Sequence, residues 1–198
     1  MTEKQVVLHR DDPRWQRLHS IICEQSLQTG NFILSSGRQS KFIFQLRQTT
    51  LLPEGAALIS DVILEYMRRN NISCVGGLAL GAVPVISAVS LISHLQSTPV
   101  NAFFVRKKAK EHGALEQFAG HATIGGEVLL VDDVATSGNS ITTALDGLIE
   151  KHLTCFVRKA FVVIDREEGA SEYLQHHGIE LVSIFKASDF IRSGDNFK

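Results

Sequence analysis

Four short apolar runs, Cys74 to Leu78, Val100 to Val105, Val128 to Val131 and Phe161 to Ile164, constrain the fold of this chain more than any other feature. They are continuous rather than alternating. A strand with one wet face alternates apolar and polar residues. A strand covered on both faces reads as an unbroken run, as in a parallel sheet with helices on either side. The segments between these runs predict helices at Pro84 to Leu95, Ser140 to His152 and Glu168 to His177, with Gly178 placed to cap the last. Upstream, Pro13 to Gln28 reads as a helix, with Trp15, Leu18 and Ile22 at helical spacing and Gly30 as a stop. Lys41 to Arg47 reads as a strand with Phe42, Phe44 and Leu46 on one face. Pro53 opens a helix whose Ile59, Val62, Ile63, Tyr66 and Met67 form one stripe, closed by Asn70 and Asn71. The predicted class is α/β, with a central, mostly parallel sheet flanked by helices. In such sheets ligands sit beyond the carboxyl ends of the strands, so the loops after Leu78, Val105, Val131 and Ile164 are the candidates for chemistry.

Composition narrows the partners. The formal net charge of -1 over 198 residues gives no global field to recruit nucleic acid or an anionic membrane, so any polyanion site must be local. Between Arg69 and Arg106 only His94 can carry charge, a span long enough to cross a bilayer. Gly76, Gly77, Gly81, Pro84 and repeated serines break it, and a buried strand, a turn and a packed helix explain it better. The first twelve residues lack the apolar core of a signal peptide. Cys23, Cys74 and Cys155 are odd in number and widely spaced, which reads as buried, reduced thiols in a cytoplasmic protein rather than as a disulfide framework or zinc site.

The densest chemical signal is Val128 to Ser140, VLLVDDVATSGNS. Apolar residues give way to Asp132 and Asp133, then small hydroxyl residues, one glycine and the start of a helix. Two adjacent carboxylates at a strand end repel each other unless something pairs with them. Ribose hydroxyls supply donors, and a divalent ion supplies positive charge. The loop Ala135, Thr136, Ser137, Gly138, Asn139 and Ser140 can turn backbone N–H groups onto a phosphate, with the helix N-terminus behind it. A ribose clamp and a phosphate cradle thus fall side by side. A strand ending in an N-capping aspartate explains one acid but not the whole string. The absence of GK[ST] rules out a Walker A loop.

Two further segments sit at strand ends. Phe103 to Gly113, FFVRKKAKEHG, carries Arg106, Lys107, Lys108, Lys110 and His112. Such a run is either a solvated loop or a cluster of cations for a departing dianion. Gly113 and Gly120 bracket a stretch of little periodicity, which predicts a mobile lid. Asp165 to Gly169, DREEG, places Arg166 where it either grips a carboxylate through two parallel hydrogen bonds or forms a surface salt bridge with Glu167 or Glu168.

The Val128 to Ser140 string resembles the motif of type I phosphoribosyltransferases that binds phosphoribosyl pyrophosphate (PRPP), and FVRKKAKEHG resembles the catalytic loop of the orotate phosphoribosyltransferases. The resemblance implies a type I phosphoribosyltransferase fold in a single domain over residues 1–198, with an N-terminal helix and small hood in 1–50 and a PRPP-binding core in 51–198. It implies that Asp132 and Asp133 bind the ribose hydroxyls and residues 135 to 140 the 5-phosphate. Arg106, Lys107, Lys110 and His112 become pyrophosphate and lid residues, with Lys107, Lys110, His112 and the two aspartates catalytic. The hood stretch Asn31 to Ser40 and the strand after it cover the base, and Arg166, Thr136 and Phe44 are the candidate orotate contacts. Gly77 to Pro84 resembles the family's pyrophosphate loop, without the lysine some members carry near Gly81, and Ser35 also stands where some members carry lysine. Mg2+ enters on PRPP with no firm protein ligand. A homodimer sharing its lid across subunits is implied, with PRPP and orotate as substrates. A purine or xanthine phosphoribosyltransferase, or a non-catalytic PRPP-binding regulator, stands as the alternative.

Overall fold

A computed structural model describes residues 7–33, 39–107, 117–151 and 154–191. Asp12 caps the first helix, α1 (Pro13–Gln25), its carboxylate accepting the Arg14 N–H at 2.8 Å, and Pro13 supplies a pre-set φ at the first helical position. The helix ends three residues sooner than its periodicity predicts. Leu27 onward is drawn instead into strand β1 (Leu27–Ile33), which pairs antiparallel with β2 (Gln39–Phe44) and runs through Gly30. The strand predicted to end at Arg47 stops at Phe44, and Arg47 opens a one-turn helix, α2 (Arg47–Thr50). Helix α3 (Pro53–Arg69) follows, with Glu54 in its first turn and Arg68 and Arg69 in its last, each favourable to the helix dipole.

Among the described residues the main sheet has six strands: β3 (Cys74–Leu78), β4 (Asn101–Val105), β5 (Phe118–Gly120), β6 (Glu127–Ala135), β7 (Phe156–Asp165) and β8 (Glu180–Lys186). Their spatial order is β5-β4-β3-β6-β7-β8, with β5 alone antiparallel. The α/β class and mostly parallel sheet agree with expectation. Strands β5 and β8 do not appear in the apolar pattern. Strand β6 also runs four residues beyond Val131, straight through the acidic pair.

Helix α4 (Ala82–Leu95) starts two residues before Pro84, which therefore sits in its first turn. Helices α5 (Asn139–Glu150) and α6 (Ala170–His176) follow β6 and β7. Successive strand residues divide between two cores. Val75, Leu129, Val131, Phe161 and Val163 face α3 and α4, while Cys74, Val128, Leu130 and Ala160 face α5 and α6. This double burial is why the runs are unbroken. Each fully buried aliphatic or aromatic side chain contributes about 1.5–3 kcal/mol relative to exposure. Cys74 is buried as expected, but Cys155 is half-buried and Cys23 is exposed, so the expectation of three buried thiols does not hold. Among the described residues, no helix is long and apolar enough to cross a membrane.

Candidate active site

The parallel strands run in chain order 2-1-3-4-5, and in a sheet of this order the crevice opens where the order reverses, between β3 and β6. The carboxyl ends of these two strands carry the Leu78–Gly81 loop and the acidic pair. A cavity of about 390 Å3 lies there, lined by Phe44 to Arg47, Leu78 to Gly81, Asp132 to Val134 and Ser140. Its floor is the main sheet, and Phe44 of β2 brings the hood to its wall.

Asp132 is buried, and its Oδ1 accepts the Asp133 N–H at 2.9 Å. The Asp133 Oδ1 accepts the Val134 N–H at the same distance. Burial, then the neighbouring charge of Asp133, holds the Asp132 carboxyl well above the usual carboxylate range, opposed in part by a bond from Ser140. Among the described residues no cation forms an ion pair with either carboxylate. The pair is therefore organised for hydroxyl donors or a cation that arrives with a ligand. Gly81 closes over it. A Cβ there would lie 2.7 Å from Asp132 Oδ1 and 2.9 Å from Asp133 Oδ1, so a side chain would press on the acids.

Beyond β6 the chain turns through Thr136 and Ser137 to Gly138, whose φ of 85° suits glycine and which starts α5 with no side-chain cap. The N-capping aspartate, the plainer alternative for this string, does not occur: the cap position is Gly138. The first-turn N–H groups of α5 therefore have no side chain of this segment occupying them, as an anion cradle requires. Ala135 is buried in the strand rather than in the loop, and Ser137 and Asn139 are exposed.

Arg166 follows β7 directly and is 8% exposed. Its Nε donates to Glu168 Oε1 at 2.7 Å, its Nη2 reaches Ser40 Oγ at 3.4 Å, and its guanidinium lies 5.0 Å from the Phe42 ring. The salt bridge foreseen with a neighbouring glutamate exists, but it is buried rather than on the surface. Arg166 thus joins the hood strand β2 to the end of the main sheet.

Of the sequence-derived candidates, the cavity brings together Phe44, Asp132, Asp133 and Ser140. Ala135, Thr136, Ser137, Gly138 and Asn139 continue from it, and Arg166 stands under the hood outside its lining. Arg106, half-buried with its guanidinium 5.1 Å from the Phe104 ring, and exposed Lys107 mark the end of β4, also outside the lining. Lys108, Lys110, His112 and the proposed lid centre lie outside the described residues, as does the Ser36–Gly37 turn. Phe118 to Gly120, the tail of the stretch read as lid, forms strand β5. Sequence reasoning placed the hood and the strand after it over the base but gave no role of its own to Arg47, the one cation among the cavity's described lining residues, or to Gln45, Ser40 and Phe42. The strand predicted through residue 47 ends at Phe44 instead, and the turn into α2 brings Arg47 to the cavity lining.

The family profile of the phosphoribosyl transferase domain matches residues 47–190. An orotate phosphoribosyltransferase of Rhodopseudomonas palustris (strain BisB18) is 41% identical over 181 residues, covering 89% of this chain and 96% of the relative. The chain belongs to the orotate phosphoribosyltransferase family. A solved structure agrees: that of the orotate phosphoribosyltransferase of Mycobacterium tuberculosis H37Rv with Fe(III) dicitrate has a TM-score of 0.75 and 35% identity, covering 89% of this chain and 98% of that one. The same enzyme in complex with PRPP matches with a TM-score of 0.72 and 32% identity over the same shares. These orotate phosphoribosyltransferase likenesses do not favour the purine phosphoribosyltransferase or the regulator.

Proposed function

We propose that this chain transfers the ribose 5-phosphate of PRPP to N1 of orotate, giving orotidine 5'-monophosphate and pyrophosphate, the step that builds a pyrimidine nucleotide. The C1–N1 bond forms as the C1–oxygen bond to the diphosphate breaks; the electron pair leaves with pyrophosphate, and the N1 proton of orotate passes to the departing diphosphate or to water. The observation that carries this reading is the acidic couple, Asp132 and Asp133, without an ion pair among the described residues, at the β3/β6 crevice beside a helix N-terminus with no side-chain cap. Anionic acceptors meet ribose hydroxyls, and the open N–H groups of residues 136 to 140 meet the 5-phosphate.

Arg106, Lys107, Lys110 and His112 are assigned to the diphosphate and Arg47 to its near wall, supported by the end of β4 and by the cavity lining. Arg166, Phe44 and Thr136 are assigned to orotate. Supporting this, a buried guanidinium under the hood matches the carboxylate that orotate has and purines lack. The oxygen donors at the cavity, the Asp132 and Asp133 carboxylates and the Ser140 hydroxyl, would suit magnesium arriving with PRPP. Among the described residues no cluster of three His, Cys, Asp or Glu side chains forms a cage for it. Magnesium held there would neutralise charge developing on the leaving group.

The fuller reading is a single cytoplasmic domain, 1–50 as helix and hood and 51–198 as core, working as a homodimer whose basic lid serves the neighbouring subunit. Incubation with PRPP, magnesium and either orotate or a purine base, followed by orotate absorbance and nucleotide analysis, tests the reaction. Consumption of orotate with release of pyrophosphate is expected; turnover of the purine alone would overturn the assignment.

A further inference from the structure

We infer that Glu168 is a positioning residue for base recognition, fixing the Arg166 guanidinium so that its outer Nη1–Nη2 edge presents to a carboxylate. This inference rests on the orotate reading above. The turn after β7 divides its three acids. Asp165 accepts the Glu167 N–H at 2.9 Å and bends the chain, and Glu167 adopts a left-handed φ of 58°. Glu167 then turns outward, its Oε2 accepting the Ser188 N–H at 3.0 Å. Glu168 turns inward to Arg166, with side chains only 7% exposed for the arginine and 16% for the glutamate.

A guanidinium offers a carboxylate two forks, one using Nε and one using both terminal nitrogens. Glu168 occupies Nε at 2.7 Å, which removes the first fork. The Phe42 face and the long Ser40 contact limit rotation of the plane. What is left for an incoming anion is the end-on fork, held in one plane. The Arg166 backbone N–H donates to Ala135 O at 2.9 Å, which ties this fork to the end of the acid-bearing strand. Base and ribose sites are thereby held at a set spacing.

The orienting contact needs an acceptor oxygen at the right reach and does not need the charge. Glu168→Ala removes it, Glu168→Asp shortens its reach, and Glu168→Gln keeps it. Steady-state kinetics on the full-length wild type first establish orotate turnover, whose absence would sink the function and not the positioning role. Given turnover, Glu168→Ala and Glu168→Asp raise the KM for orotate about tenfold while the KM for PRPP stays within about twofold. Glu168→Gln restores the orotate KM to within about twofold of wild type. Melting temperatures measured in parallel separate this from general loosening, and the Asp and Gln variants carry the comparison if the alanine variant fails to fold. An unchanged orotate KM in the alanine or aspartate variant, a parallel rise for both substrates, or no recovery in Glu168→Gln overturns the inference.

Discussion

Asp132 places a cost on the fold that its proposed work explains. An acid whose folded-state pKa is raised by burial and a like charge destabilises the native state in a pH-dependent way. The cost is absent below the unfolded value, about 3.9, accumulates as pH rises from there to the folded value, and is complete above it. Asp132→Asn keeps an oxygen acceptor for the Asp133 N–H and offers Asp133 a donor in place of a charge. The variant is expected to melt above wild type at neutral pH, by about 2–4 °C for each kcal/mol relieved, with the gap closing as pH falls toward 3.9. Its kcat/KM for PRPP falls about ten- to a hundredfold, because an anionic acceptor for a ribose hydroxyl is gone. Equal melting curves at neutral pH would show that the charge is not a burden. Arg47 gives the opposite case: exposed, at the cavity wall, and without an ion pair among the described residues. Arg47→Ala should raise the KM for PRPP about five- to tenfold and leave the orotate KM alone, with Arg47→Lys recovering part of the loss; an unaltered PRPP dependence removes Arg47 from the diphosphate wall. The acids were legible in the sequence because hydrophobicity stops at them abruptly. Arg47 was not, because its place at the cavity depends on where β2 ends, and residue types do not reveal that boundary.

At the scale of elements, legibility followed burial. Strands β3, β4, β6 and β7 are covered on both faces and stand out as apolar runs. Strand β8 lies at the sheet edge, starts at Glu180 and ends at Lys186, and its charged ends and Ser183 dilute the signal. Strand β5 has three residues, too few for any period, and β1 is exposed over most of its length. Helix α1 lost its last turn to pairing with β2, a long-range demand that local spacing cannot express. The junction of β6 and α5 was readable for a different reason: its glycine has a steric job. At Gly138 a Cβ would meet Leu174 and Tyr173 at 3.0 Å, on a backbone whose φ of 85° already disfavours L side chains. Gly138→Ala is expected to cost about 1–2 kcal/mol from conformation alone, about 2–4 °C of melting temperature per kcal/mol. Since the shift moves the start of α5, PRPP binding should weaken more than orotate binding, measurable by titration calorimetry with each substrate. Unchanged PRPP affinity would detach this helix start from the 5-phosphate.

The whole molecule draws its site from distant parts of the chain: hood residues near 40 to 47, the β3 loop near 80, the acids at 132 and 133 and the turn at 166. Parallel order 2-1-3-4-5 makes that convergence possible, since neighbouring strands end at one rim. The same order separates the basic segment from the acids. Strand β4 lies beyond β3 from β6, so at a strand spacing of about 4.8 Å the end of β4 stands roughly 10 Å from the acidic pair. Arg106 and Lys107 leave the sheet there, outside the cavity lining. The proposal that the segment after β4 serves a neighbouring subunit of a homodimer is tested by mixed dimers. Lys107→Ala and Asp133→Asn should each leave a homodimer with little activity. If the lid acts across the interface, a heterodimer of the two joins both lesions in one site and leaves the other intact. Random mixing makes half the dimers heterodimers, so about a quarter of wild-type activity should return. If the loop covers its own subunit, every site in the mixture keeps one lesion and nothing returns, so measuring turnover before and after subunit exchange decides which rim the lid serves.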